Sequence, residues 1–489
     1  MAQRNPTTAV GLATKVSALA LAMALSAGCA VNQATGKRQL MLISEQQEIA
    51  MGKEAHGQIL ASMGVYPDDE TQAYVSALGL ELAALSERPD LPWTFTVIDD
   101  PIVNAFALPG GFIYVTRGIM THLSSEAELV SVLGHEIGHV TGRHGANRMS
   151  KAQLATIGLG VGMIASPEFA RFGDLAQQSL GLLFLKYSRD DERQADDLGV
   201  RYTVKGGWDV REMPEVFGVL KNVGELAGAG RLPNWLSTHP DPDARAARIN
   251  EQIGRLMQDF THAKRNRSVY FDQLDGMVFG SNPRQGYFEG SVFLHPELAF
   301  RIQFPDGWST QNQTQAVVGQ SEAQDAVAAL TLESEVDPAA AARAFAAQEG
   351  LESGRVQTGK IHGFPAASLE FKVAQEKNPL RGQVAFVRYN DSSYRLLAYT
   401  IESKWSIYGR AIGSFVGSFD KVTDQRVLNV QPAHVKVVQL RRDMPFREFA
   451  RRYPSNAKPE LVALINHTTT DGVIPAGQAK QVVGGPKAK

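Results

Sequence analysis

Apolar and polar positions repeat along this chain with periods that change from one region to the next. From Ser44 the period is helical. Ser44 and Gln47 fit a capping box, Ile49, Ala50 and Ala55 begin an apolar face, and a second helix is predicted over Thr71 to Leu85. Trp93 to Ile98 alternates as a strand does. Pro109-Gly110-Gly111 marks a turn, and Phe112 to Thr116 reads as the next strand. Ser125 with Glu128 forms another capping box, opening a helix that carries His135-Glu136-Ile137-Gly138-His139. Leu154 to Ile164 is apolar and glycine-rich but too short for a membrane span. Helical patterning continues to about Phe260. Alternating runs then predominate, at Leu298 to Phe304, Val327 to Glu333, Ala366 to Val373, Gln383 to Tyr389 and Tyr394 to Ile401. Helices near Pro338 to Gln348 and Trp405 to Phe419 interrupt them, and His434 to about Val483 reads strand, helix, helix, strand.

These periods predict a multidomain chain. Residues 44–265 form a mainly α domain with a small β-sheet, 277–424 an α+β accessory domain, and 433–485 a small βααβ module. The length of 489 residues and the 44% hydrophobic content suit several buried cores. A formal charge of −2, with no long Lys/Arg block, excludes nucleic acid as a partner. The single cysteine, Cys29, excludes an internal disulfide framework.

The position of Cys29 carries more. Arg4 and Lys15 precede the uncharged stretch Val16 to Gly28, which has the length of a signal-peptide core. The run Leu25-Ser26-Ala27-Gly28-Cys29 resembles a bacterial lipoprotein processing site, with Leu25 one place earlier than usual. That resemblance implies that residues 1–28 are removed, that Cys29 is lipidated, and that 29–43 tether the protein to a membrane surface. Ala30 after the cysteine points to the outer membrane, on the periplasmic side of a bacterial envelope. The competing readings are a plain secretory signal and an unprocessed N-terminal helix.

The helix after Ser125 carries the chemistry. His135 and His139 lie one helical turn apart, so both rings leave the same face and can reach one Zn²⁺ at about 2.0–2.1 Å. Glu136, about 100° round the helix, can touch a metal-bound water without ligating the metal. The bland alternative is a buried pair of helical histidines. A metzincin continuation, HExxHxxGxxH, fails. Gly142 is present, but the next histidine is His144 and position 145 is glycine. His144, taken along a continuing helix, points away from the metal and reads as structural. A carboxylate from a second helix is the alternative third ligand. Glu192 and Asp196 share a face of the helix that begins near Ser188-Arg189, with Glu192 suited to bind zinc and Asp196 to hold the far nitrogen of a ligating histidine. On its own that segment also fits a solvated acidic face.

Three separated motifs together resemble the HtpX/BepA/Oma-type family of zinc endopeptidases: the HEIGH helix, the helix Ser188-Arg189 … Glu192 … Ala195-Asp196 … Gly199, and Asn104-Ala105-Phe106-Ala107-Leu108-Pro109-Gly110-Gly111. The resemblance covers roughly Leu42 to Leu256. It implies a zincin-like fold with one Zn²⁺ per chain, held by His135, His139 and Glu192, and Glu136 as the general base. It also implies that the strand from Gly110-Gly111-Phe112 to Thr116 is an edge that pairs with extended substrate, with Asn104, Gly111, Phe112 and Tyr114 as substrate contacts. Thr238-His239-Pro240 with Arg245 matches a further family motif. There His239 either closes the metal site as a regulatory fourth ligand or helps at the developing oxyanion, with Arg245 beside it.

The expected activity is hydrolysis of peptide bonds in unfolded or misassembled envelope proteins. Its rival is an envelope chaperone or binding lipoprotein with a latent zinc site. The last module resembles a LysM-like wall-binding module in Leu461-Val462-Ala463-Leu464-Ile465-Asn466 and Ile474-Pro475-Ala476-Gly477-Gln478, which adds cell wall as an expected partner. Arg442-Asp443-Met444 stands where such modules have a small polar turn.

Overall fold

The computed structural model describes residues 29–158, 186–226, 235, 238–375 and 378–486. The expected signal segment 1–28 and most of the glycine-rich stretch Leu154 to Ile164 lie outside the described residues. Among the described residues no helix is long and apolar enough to cross a membrane.

The chain forms two compact units, one built from 1–60, 65–277 and 435–481, the other chiefly from 278–434. The first is helical around a small sheet. Strands β1 (Cys29–Val31) and β2 (Arg38–Leu40) pair antiparallel ahead of helices α1 (Glu45–Met63) and α2 (Asp69–Ala83). Strands β3 (Thr94–Ile98), β4 (Ala105–Leu108) and β5 (Phe112–Thr116) follow. Their order is β3-β5-β4, with β3 and β5 parallel and β4 antiparallel to β5. This corrects the expected edge. Both sides of β5 are already used in ladder bonds, so the outer strands are β3 and β4, and the unbroken apolar run Ala-Phe-Ala-Leu of β4 gives no alternation to read.

After α3 (Arg117–His122), Ser125 caps α4 (Glu126–Thr141) by accepting from the Glu128 amide at 3.1 Å. All of α4 is buried, as the central helix of the unit must be. It ends at Thr141. Arg143 then turns left-handed (φ 54°) and α5 (His144–Gly158) starts in a new direction. Such a φ is uncommon for arginine and has to be held. Arg143 Nε donates to buried Glu48 on α1 at 2.6 Å, and Nη2 donates to the Ile43 carbonyl at 2.9 Å. Helices α6 (Arg189–Lys205), α7 (Glu212–Leu226), α8 (Pro242–Arg255) and α9 (Arg267–Leu274) follow among the described residues. Ser188 and Asp191 close a reciprocal capping box on α6.

Residues 435–481 join this unit, with helices Phe446–Arg452 and Pro459–Ile465. Buried Lys480 donates from Nζ to the carbonyls of Thr121 and Leu123 at 3.2 and 2.6 Å, beside the start of α4.

The second unit is mostly antiparallel β. Its largest sheet runs Ser309–Asn312, Ala316–Gln320, Ala326–Glu333, Ser392–Ile401, Leu380–Tyr389, Phe364–Val373, and the last of these also pairs Leu351–Ser353 and Gln357–Ile361. Alternation along the strands sends Ala385 and Val387 to one core with Phe415 of the helix Trp405–Val416. Val384 and Phe386 face the other core, with Phe345 of the helix Pro338–Ala346. The region is mostly β, and the two helices, expected near Pro338 to Gln348 and Trp405 to Phe419, lie on opposite faces of the sheet.

Candidate metal centre

α4 and α6 approach closely because small residues meet where they cross. A Cβ on Gly134 would lie 3.3 Å from the Gly199 carbonyl oxygen, and one on Gly199 would lie 3.1 Å from the His135 amide nitrogen. That approach carries Glu192 to the two histidines. His135 Nε2 and His139 Nε2 are 3.0 Å apart, and the Glu192 carboxylate lies 3.6 Å from the first and 3.5 Å from the second. His239 Nδ1 joins them, 3.3 Å from His135 Nε2 and 2.9 Å from Glu192 Oε1. These spacings fit the roughly 3.3 Å edges of a tetrahedron with 2.0–2.1 Å metal–ligand bonds. His135, His139, Glu192 and His239 are all buried, and a set of three imidazoles and one carboxylate suits zinc.

Glu136 strengthens the fit. It is fully buried, and neither carboxylate oxygen has a hydrogen-bond partner. Its nearest charge partner is His239 Nε2 at 3.8 Å. A buried orphan carboxylate is expensive unless water, metal or substrate completes it. Burial raises its pKa, against the opposing pull of His239 and His135. In Glu192 the same burial penalty is overcome by His239 and Arg245, so its pKa falls and it stays a carboxylate.

Behind the ligands stands a second set of contacts. Asp196 Oδ1 takes the Nδ1 side of His135 at 3.1 Å. Arg245 on α8 grips Asp196 through Nε and Nη2 at 3.0 and 2.6 Å, and its Nη1 lies 2.7 Å from Glu192 Oε2. Its guanidinium sits 4.5 Å over Phe217 and 5.1 Å over Trp235. Arg245 therefore neutralises two buried carboxylates at once and holds the Asp196 pKa far down.

His239 is clamped between Trp235 and Tyr187, ring centroids 4.8 and 5.4 Å away. Tyr187 also stacks on His139 at 3.8 Å. The sequence offered no signal for Tyr187 or Trp235 beyond their nearness to Ser188 and His239. His144, expected to be structural, has its Nδ1 3.0 Å from His139 Nδ1.

The expected substrate contacts are not gathered at this cluster. Tyr114 is buried, stacks on Phe106 and reaches His56 Nδ1 at 2.7 Å through its hydroxyl. Phe112 packs near His56, and Gly111 holds its carbonyl on the Thr94 amide at 2.9 Å. Asn104 is buried with its Oδ1 unpartnered. Strand β4 is the one that flanks the metal centre: Ala107 and Leu108 line a small cavity with His139 and Tyr187.

Comparison with known proteins agrees with this geometry. Residues 69–253 match the family model "Peptidase family M48". The chain is 34% identical over 215 residues to a putative beta-barrel assembly-enhancing protease of Vibrio cholerae, covering 42% of this chain and 44% of the other. It is 28% identical over 279 residues to the beta-barrel assembly-enhancing protease of Yersinia pestis, covering 52% and 57%. A match of 35% over 167 residues to the mitochondrial metalloendopeptidase OMA1 of Arabidopsis thaliana covers 34% and 32%. The chain thus spans about half or less of the length of the curated relatives it matches.

Proposed function

With residues 69–253 belonging to peptidase family M48, we propose that this chain is a zinc-dependent endopeptidase that cuts unfolded or misassembled proteins of the bacterial cell envelope. The observation that carries the proposal is Glu136, an unpartnered buried carboxylate beside the cluster of His135, His139, Glu192 and His239. A purely structural zinc has no use for such a base.

Zinc, when bound by His135, His139 and Glu192, supplies a Lewis acid that acidifies water and polarises a peptide carbonyl. Glu136 takes the proton from that water and returns it to the leaving amine, and its raised pKa suits both transfers. Asp196 fixes the tautomer of His135, and Arg245 holds Asp196 and Glu192 in register. The outer strand β4, rather than β5, is placed to pair with an extended substrate backbone beside His139.

The substrate class rests on the relatives' names, and the lipoprotein-like run ending in Cys29 supports a reading on the periplasmic side of the outer membrane. The test compares cleavage of an unfolded protein by the full chain with and without a chelator, and by Glu136→Gln. Chelation should abolish cleavage and Glu136→Gln should lower it by about 10²–10⁴-fold; cleavage undiminished by either one refutes the proposal.

The chaperone-like reading with a latent site draws on one observation, His239 seated within the ligand set. Holding an unfolded client soluble with no cleavage, even by His239→Ala, would favour it.

A further inference from the structure

His139 and His135 present their Nε2 atoms to each other and to Glu192, so their Nδ1 atoms face outward. A histidine that ligates through Nε2 carries its proton on Nδ1 and needs an acceptor there. For His135 that acceptor is the Asp196 carboxylate. For His139 it is another imidazole: His144 Nδ1 lies 3.0 Å away, the two rings meeting edge to face at 81°.

An acceptor at Nδ1 obliges His144 to carry its own proton on Nε2. That atom is buried and has no hydrogen-bond partner among the described residues, and the same holds for Gln194 Oε1. The two complement each other, one a donor and the other an acceptor. Gln194 Nε2 is already committed to the Asp190 carbonyl at 3.1 Å, which leaves the oxygen as the end that can accept.

We propose that His144 is the positioning residue of His139: a neutral imidazole that accepts from His139 Nδ1–H. The backbone supplies the means. The left-handed turn at Arg143 ends α4 and swings His144 back onto the outer nitrogen of His139. Gly142 leaves the room for it, since a Cβ there would lie 2.4 Å from His144 Nε2 and 2.7 Å from Cε1. Gly142 is itself in ordinary helical conformation (φ −68°), so space for the ring, and not backbone freedom, is what requires glycine. The two ligating histidines then differ in what stands behind them, an anion held by Arg245 for His135 and a neutral ring for His139. A neutral acceptor donates less charge through the ligand than a carboxylate does, which leaves the bound metal more acidic.

This deepens the zinc proposal and rests on it. The test measures zinc affinity of the full chain by competition with a chromophoric chelator, together with the visible spectrum of the cobalt-substituted protein. His144→Phe fills the space without an acceptor, and Gly142→Ala displaces the ring without removing it. Each should weaken zinc binding about 10–100-fold and alter the cobalt spectrum. His144→Asn, whose Oδ1 can replace Nδ1, should bind within about threefold of the wild type. Loss of packing alone lowers the melting temperature of the metal-free chain without separating Asn from Phe. Equal zinc affinity for the Asn and Phe variants overturns the positioning role while leaving the metal site standing. A wild-type chain that takes up no zinc overturns the metal site and the positioning role together.

Discussion

Gly138 lies directly under Ala195: a Cβ added to Gly138 would sit 2.8 Å from the Ala195 carbonyl oxygen and 3.0 Å from its Cα. The contact is backbone against side chain with nothing flexible to yield, so α4 and α6 cannot keep this spacing with anything larger than glycine. The glycine inside the HEIGH run therefore sets the distance between two ligands on one helix and the third on another. Gly138→Val should destabilise the chain by about 1–3 kcal/mol through overpacking. It should also weaken zinc binding, because Glu192 moves with α6. Chemical denaturation and chelator competition measure the two effects. An unchanged zinc affinity would show that the helices are not what positions Glu192.

Glu136→Gln keeps the shape of the side chain and removes its basicity. Its carboxylate makes no hydrogen bond in the described structure, so the fold loses little. Cleavage should fall by about 10²–10⁴-fold, the usual contribution of a positioned base. Zinc content, measured by atomic absorption, should stay at one per chain. Zinc lost along with activity would make Glu136 a ligand instead of a base.

His239 sits 2.9 Å from Glu192 Oε1 and 3.3 Å from His135 Nε2, within the ligand set rather than over it. A fourth protein ligand takes the place that water needs. His239→Ala should therefore raise peptide cleavage several-fold while weakening zinc binding. A fall in kcat with zinc affinity kept would place His239 at the developing oxyanion instead.

The parts of this site visible in the sequence are those that depend on one helix at a time. His135, Glu136 and His139 follow from helical spacing, as does the shared face of Glu192 and Asp196. The position of His144 against His139 is not legible in the sequence, because α4 stops at Thr141. What ends the helix is Arg143, held by Glu48 across 95 positions, and no local pattern reports that. The edge strand was misplaced for a similar reason. Ala105 to Leu108 is buried throughout, and which of two adjacent strands lies outside depends on pairing and not on composition. In the second unit, Ser309–Asn312 and Gln357–Ile361 are largely exposed and polar, so their place in the sheet was hidden as well.

Lys480 offers a test that does not involve the metal. Its side chain is fully buried, with Nζ donating to Thr121 O, Leu123 O and Ser124 Oγ and lying 5.5 Å over Phe271. Burial lowers its pKa from 10.5 to about 7, with Glu128 opposing the shift and Arg267 adding to it. His122 and His467 face the same region, each lowered to about 4 by burial, so neither changes charge at neutral pH. Between about pH 7 and 10 the unfolded chain holds a proton on Lys480 that the folded chain has lost, so stability rises with pH. The slope is at most about 1.4 kcal/mol per pH unit. Glu128, raised to about 7 chiefly by burial, is ionised above that point and contributes no slope of its own there. Lys480→Met should remove the rise and, at neutral pH, cost about 1–3 kcal/mol by leaving the buried carbonyls of Thr121 and Leu123 without their donor. Urea unfolding of the wild type and this variant between about pH 7 and 9 separates the cases. A wild-type stability that is flat or falls with pH relative to Lys480→Met would mean that Lys480 keeps its proton in the folded chain.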